Sequence, residues 1–486
     1  MDSILVLALL APPLAAAAVA LVAHRAPVKA AWFNAVTMPV SACAAAAIAL
    51  RLSAGGAPVI VGGTWRLDAL SALMAVLVSG IATLVAWLGP GLDRRGEAPG
   101  AEIRLYRIYA NLFACTMLMA VSTSNLGVMW VAIEATTVAS ALLIPVRRTK
   151  AALDASWKYL LICSVGIALA FAGTVLAFVD FATTGGDLDL ALHWTTLRAA
   201  APALHPEVAR LAFVFLLVGF GTKAGLAPTH TWLPDAHAEA PAPLSAMMSG
   251  VLLAVALYAV MRWKAIIDLA IGSAFSDTLL LVVGVATILV GSASLLSQTH
   301  YKRVLAYSSI EHMGLACLGL ALGRPGVFAA LLHLTGHAVA KSAAFLLSGR
   351  IYDRYRSGEI AAASGLLGSV PATAVLFAAT VFALAGLPPF SLFLSEILII
   401  QAAWGAGHAV LAALVLVLIL LAFASLVTHL QRMLFGEAKG AVPRGERTDL
   451  PLVLLAMPVA ALAWIGVTLP EPLRLLLTRA AEVVRP

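Results

Sequence analysis

Charge is what this chain has least of: Asp, Glu, Lys and Arg supply only 11% of its 486 residues, against 62% that are hydrophobic. Soluble domains carry about 25% charged residues, so a mean hydropathy of +0.98 excludes an ordinary globular domain and puts most of the chain in lipid. Cysteine is nearly as sparse. The four present, Cys43, Cys115, Cys163 and Cys317, lie inside apolar runs without C-x-x-C spacing or a neighbouring His cluster, which argues against an iron–sulfur or zinc centre. No P-loop, G-x-G-x-x-G or G-x-S-x-G sequence occurs either. The chain is therefore expected to bind no cofactor and no metal of its own and to hold no hydrolytic site. Its formal +7 charge is scattered among loops and points to no nucleic-acid partner.

What is present is a succession of apolar runs. A bilayer core of about 30 Å takes roughly 20 residues per helix, which divides the chain into about fourteen spans. They lie near 2–23, 31–50, 68–89, 105–123, 125–145, 155–179, 208–228, 240–262, 278–297, 303–323, 326–349, 372–402, 408–431 and 450–470. The expected fold class is all-α, a polytopic membrane bundle. Asp2 and the absence of a basic leader make the first run a membrane helix rather than a cleaved signal. Loops after odd-numbered spans carry Arg25, Lys29, Arg94, Arg95, Arg147, Arg148, Lys150, Lys302, Arg303, Arg350, Arg354, Arg356, Arg432, Lys439, Arg444 and Arg447. The other side has roughly half as many, so the odd loops are expected in the cytoplasm and both termini on the outer face.

Two spans are interrupted alike, the seventh at Ala224-Gly225-Leu226-Ala227-Pro228 and the twelfth at Ala385-Gly386-Leu387-Pro388-Pro389. Proline removes an N–H and clashes with the preceding turn, so a break at membrane depth frees carbonyls that need a protein-lined, wet cavity. Matching breaks suggest two inverted five-helix repeats, although two unrelated proline kinks would read the same way. The expected units are helices 1–3 over 1–104, a first repeat over 105–262, a second over 278–432, and a C-terminal helix and tail over 450–486. The polar stretch 181–207 is too short for a soluble domain.

Ionisable groups at mid-bilayer cost at least about 3 kcal/mol each on insertion scales, so several in one bundle call for partners or function. Glu134 sits within the fifth span, Lys158 opens the sixth, Lys223 precedes the first break, and Glu396 follows the second. His333, His337 and Lys341 recur every fourth residue, advancing only about 40° around a helix and about 6 Å along it. Such a titratable stripe suits a proton relay, with helix–helix hydrogen bonding as the plainer alternative. Burial disfavours the ammonium form of a lysine and a nearby carboxylate favours it, so Lys223 and Glu134 could act as a switch, or simply as a structural ion pair.

The run from Lys223 to Pro241, with Pro228, His230, Asp235 and His237 as access or helix-break residues, resembles the signature of the antiporter-like subunits of complex I, Mrp antiporters and group 4 membrane-bound hydrogenases. Lys302 to Ile310 and His333 to Lys341 are similar to the same family, so the likeness covers roughly 105–435. Trp157-Lys158-Tyr159, Ile162 to Gly166 and Glu396 resemble the hydrogenase-4 branch of that family. The resemblance implies two inverted five-helix repeats with helices 7 and 12 broken, at Pro228 and at Pro388-Pro389. It also implies a proton-transfer axis of Glu134, Lys223, His333, His337, Lys341 and Glu396, to which the reading of the charges adds Lys158. One departure stands out: Ala254 occupies the place where many relatives carry an eighth-helix lysine. No long lateral helix is expected after residue 470, unlike the largest complex I member of the family.

The leading expectation is an ion-translocating, proton-pumping membrane subunit of a redox-driven complex in a bacterial or archaeal inner membrane. Its partners would be other membrane subunits and a peripheral hydrogenase or quinone-reductase module, and its ion H⁺ or Na⁺. A Mrp-type cation/proton antiporter subunit and an inert membrane scaffold are the alternatives.

Overall fold

A computed structural model describes residues 1–23, 26–93, 100–436, 442, 444–446 and 449–485; Arg25, Arg94, Arg95, Lys439 and Arg447 of the loop-charge pattern lie outside them. The chain opens with α1 (Asp2–Val22), α2 (Pro27–Ser53) and, after a short hairpin, α3 (Ala69–Asp93). Prolines sit inside the first two of these helices, and neighbours take up the carbonyls that those prolines cannot bond. Ser41 Oγ on α2 donates to Leu9 O, four residues before Pro13, at 2.8 Å. Trp87 Nε1 on α3 donates to Ala35 O, four before Pro39, at 3.0 Å.

Next come α4 (Gly100–Ser122), α5 (Leu126–Ala141), α6 (Lys150–Thr183), the short α7 (Trp194–Ala200), α8 (Pro206–Ala224), α9 (Trp232–Glu239), α10 (Ala242–Met247) and α11 (Leu253–Ile271). The last two are joined by a π-helical turn, Met248–Leu252. Local chemistry sets several starts: the Asn125 side chain accepts from the amides of Gly127 and Val128, and Thr149 caps α6 through Ala152 N. Then follow α12 (Ser273–Leu295), α13 (Tyr301–Leu320), α14 (Gly323–Tyr355), α15 (Leu366–Ser369), α16 (Pro371–Leu384), α17 (Ser391–Gly405), α18 (Ala409–Leu434), α19 (Leu450–Thr468) and α20 (Glu471–Val484). Helices α11, α13 and α14 form the buried centre, whereas α18 and α19 present exposed leucines and valines around the outside.

Twelve helices among the described residues are long and apolar enough to cross a membrane, and the protein is a multi-pass membrane protein. Two expected spans fall outside that set. The helix over 301–320 has polar and charged residues within it, and the span over 371–405 is two shorter apolar helices, Pro371–Leu384 and Ser391–Gly405.

The all-α expectation needs one amendment. β1 (Val59–Val61) and β2 (Trp65–Leu67) pair antiparallel with Val59 opposite Leu67. Gly62 and Gly63 both have positive φ, 58° and 71°, which lets the chain reverse there. The hairpin leads into a buried ion pair in which Arg262 grips Asp68 through Nη1 and Nη2 at 2.6 and 2.7 Å. α20, beyond the last apolar span, is amphipathic: Leu477, Ala480 and Val484 are buried, while Glu471 and Arg474 pair in solvent.

Candidate functional site

Both helix breaks are built the same way. After α8, Gly225 takes φ 75° and Leu226 N bonds back five residues to Gly221 O at 2.9 Å. After α16, Gly386 takes φ 68° and Leu387 N bonds back five residues to Phe382 O at 3.1 Å. Each turn then carries a cis proline, Ala227-Pro228 and Pro388-Pro389. Side chains meet part of the polar backbone of the first break: Trp232 Nε1 donates to Thr222 O at 2.9 Å, and Ala227 N donates to Thr287 Oγ1 at 3.0 Å.

This geometry ends α8 with Lys223 fully buried. Its Nζ donates to Tyr159 OH at 2.5 Å and Thr137 Oγ1 at 2.8 Å. Thr137 in turn donates to Glu134 Oε2 at 2.9 Å, and Ser164 donates to Glu134 Oε1 at 3.0 Å. Lysine and glutamate therefore meet through the threonine hydroxyl, and no direct ion pair joins them among the described residues. The ammonium also lies 4.7 Å from the Tyr159 ring centroid, and Tyr159 reaches Ser140 Oγ at 2.7 Å.

A second cluster gathers on α13, α14 and α17. His333, His337 and Lys341 are fully buried. Lys341 Nζ donates to Leu305 O at 2.7 Å and Ser308 Oγ at 2.8 Å. His333 pairs with Ser395 Oγ at 2.9 Å and with His312 Nδ1 at 3.1 Å, and the His312 and His337 ring centroids are 5.3 Å apart. Glu396 is 5% exposed, and its carboxylate lies against Gly386, where any side chain would strike it. One ligand atom each of His312, His333 and Glu396 lies within 4.8 Å of the others, a donor set of the type zinc accepts.

Further buried polar groups lie on α9, in the π-helical turn and on α13. Ala254 is buried just past the π-helical turn, and within that turn Ser249 Oγ meets Ser309 Oγ at 2.8 Å. His237 is buried and stacks on Phe345 at 5.0 Å between centroids. Among the described residues, neither ring nitrogen of His237 or His337 meets a hydrogen-bond partner.

Lys158 does not join these groups. Although it adjoins buried Tyr159, its side chain is 61% exposed and pairs at 3.0 Å with Asp235, which also binds Arg303. It is a charge at the bundle surface, because the next helical position points about 100° away. His230 is half-buried, with Nδ1 free of any partner among the described residues.

Several members were not anticipated. Glu311, 2% exposed, and His312, fully buried, sit side by side inside the apolar run of α13, and Glu311 Oε2 is 3.8 Å from His312 Nδ1. The reasoning that singled out Glu134 would have found both. Thr137, Tyr159, Ser164, Ser308 and Ser395 carried no such signal, since hydroxyls are ordinary in membrane helices.

Residues 123–422 match the family described as NADH:quinone oxidoreductase/Mrp antiporter, TM. The hydrogenase-4 component F homolog of Methylacidiphilum infernorum is 38% identical over 363 residues, 74% of this chain and 75% of that one. An NAD(P)H-quinone oxidoreductase chain 4 of Thermosynechococcus vestitus is 36% identical over 245 residues, 50% of this chain and 44% of that one. Among solved structures, a chain of the Mrp complex from Dietzia sp. has the same fold, with a TM-score of 0.86 at 24% identity, covering 100% of this chain and 98% of that one.

Proposed function

Because the chain belongs to the NADH:quinone oxidoreductase/Mrp antiporter transmembrane family, we propose that it is the ion-translocating, proton-carrying membrane subunit of a redox-driven complex of hydrogenase-4 or quinone-reductase type. The observation that carries this reading is the unbroken donor sequence from Lys223 through Thr137 to Glu134, in which the ammonium donates to a hydroxyl that itself donates to a carboxylate. A proton leaving Lys223 has a path two hydrogen bonds long, within helices whose lipid-facing residues exclude water.

The second cluster would carry the proton onward. Lys341, His337, His312 and His333 lead to Glu396, with Glu311 beside them, and each imidazole can take a proton at one ring nitrogen as it releases one from the other. The like construction of the two breaks supports two inverted five-helix repeats, spanning roughly 105–262 and 278–432, with Lys223 just before the first break and Glu396 just after the second. Fourteen crossings follow if the helix over 301–320 and the broken pair over 371–405 also span. The basic odd-numbered loops favour a cytoplasmic location, with both termini outside the inner membrane. Redox chemistry would reside in partner subunits, this chain supplying no cofactor.

Lys223→Ala tests the reading. It should abolish ion transport by the purified complex while subunit composition stays intact, because it removes the buried charge, and Tyr159 and Thr137 keep Ser140 and Glu134 as hydrogen-bond partners. Normal transport in the variant, as an inert scaffold would give, would refute it. Dye quenching in proteoliposomes with and without Na⁺ identifies the ion, and subunits co-purifying in mild detergent identify the driving module or an antiporter assembly.

A further inference from the structure

The N-terminal helices meet the rest of the bundle around a cavity of about 500 Å³ that lies apart from the Lys223 and Lys341 clusters. One part of its wall is apolar, formed by Met38, Ala82 and Val85 with Leu455 of α19. Its other part is basic: among the described residues Arg107, Lys302 and Arg356 face it with Glu102 and Asp353, while Arg350 on the same wall is paired with Glu446 and Asp449. Arg107 and Lys302 are both buried, each donating to a backbone carbonyl, Pro27 O at 2.7 Å and Ala240 O at 3.0 Å. Two further polar atoms on the wall, Asn34 Oδ1 and Tyr106 OH, are buried without a hydrogen-bond partner.

The cavity opens where α2, α4 and α19 begin and α3 and α14 end, so it lies at one end of the membrane bundle, beside the Arg- and Lys-rich odd-numbered loops. A basic recess between helices at that level suits an anionic headgroup, and an apolar wall running towards the helix middles suits the chains attached to it. The volume falls within the range of small-molecule sites, enough for a headgroup and the start of its acyl chains.

We infer that this cavity is a binding site for an anionic phospholipid, with its phosphate among Arg107, Lys302 and Arg356 and the start of its acyl chains against Met38, Val85 and Leu455. A lipid held there would join α2 and α3 to α14 and α19 and so brace the seam.

The test is native mass spectrometry of the full chain, purified with its partners, delipidated in detergent and given phosphatidylglycerol or phosphatidylcholine. Phosphatidylglycerol should be retained roughly 10-fold better, and millimolar inorganic phosphate should not displace it. Arg107→Gln with Arg356→Asn should lower retention roughly 10-fold, while Arg210→Gln with Arg474→Gln, charges elsewhere on the surface, should leave it unchanged. If the double variant fails to fold, Arg356→Asn alone decides, because this exposed helix cap has φ 53°, which asparagine tolerates. Equal retention of both lipids, retention unaffected by the decisive variant, or displacement by free phosphate would overturn the inference.

Discussion

Thr137→Val is the sharpest perturbation of the proposed proton path, because valine keeps the threonine shape and removes one oxygen. That oxygen accepts from Lys223 Nζ at 2.8 Å and donates to Glu134 Oε2 at 2.9 Å. Hydrogen bonds to charged groups contribute about 1.5–3 kcal/mol each. Folding should survive, since Lys223 keeps Tyr159 and Glu134 keeps Ser164. Transfer between the two groups then has no hydroxyl to pass through, and a barrier higher by about 2–3 kcal/mol slows it about 30- to 160-fold. The assay is pH-dye quenching in proteoliposomes carrying the intact complex, expressed per turnover of the driving reaction. Thr137→Ser should restore most of the rate by returning the hydroxyl. Thr136→Val is the control, because Thr136 Oγ1 donates only to Ile133 O within its own helix. Wild-type pumping in Thr137→Val, or Thr137→Ser as slow as valine, would refute the path through this hydroxyl.

Two further outcomes concern the framework. Burial alone would raise the Asp68 carboxyl, but the Arg262 guanidinium holds it below the usual carboxylate range, so this pair's stabilisation is present at neutral pH and lost in acid as Asp68 protonates. Arg262→Met should destabilise by about 3–5 kcal/mol by stranding a buried carboxylate, and Asp68→Leu combined with it should recover most of the loss, as measured by thermal melting in detergent. His300, in the turn between α12 and α13, is pushed down to about 4 by burial and then by Lys302 and Arg303. The unfolded chain binds that proton near pH ~6.5, so stability from this group is full above that pH and falls as the pH drops from about 6.5 towards 4. His300→Gln should shrink the difference in melting temperature between pH 8 and pH 5; an unchanged difference would contradict this assignment.

The apolar helices were legible because hydropathy and length are direct statements about lipid, and the two breaks because a proline in a span interrupts the helical hydrogen bonds. The hairpin over 59–67 was not, since two three-residue strands between glycines leave too short a period to see. Lys158 was misplaced for a different reason: a sequence gives distance along α6 but not rotation, and one position separates exposed Lys158 from buried Tyr159. Glu311 and His312 were within reach, because a carboxylate and an imidazole inside a membrane helix carry the same signal as Glu134.

The hydroxyls are the deeper omission. Thr137, Ser164, Ser308 and Ser395 look like packing residues in any single sequence, yet Thr137 joins Lys223 to Glu134, and the three serines each hydrogen-bond one ionisable group. A buried ammonium bonded straight to a buried carboxylate is a trap for its proton, because the attraction that seats the pair also resists its transfer. Placing a neutral hydroxyl between them weakens that attraction while keeping a hydrogen-bonded route. Ser308 on Lys341 and Ser395 on His333 also give an ionisable group a neutral hydroxyl partner, but each touches only one such group. A relay therefore depends on where charges are kept from touching as much as on where they lie, which is why a list of buried charges located both clusters without giving the order in which a proton would visit them.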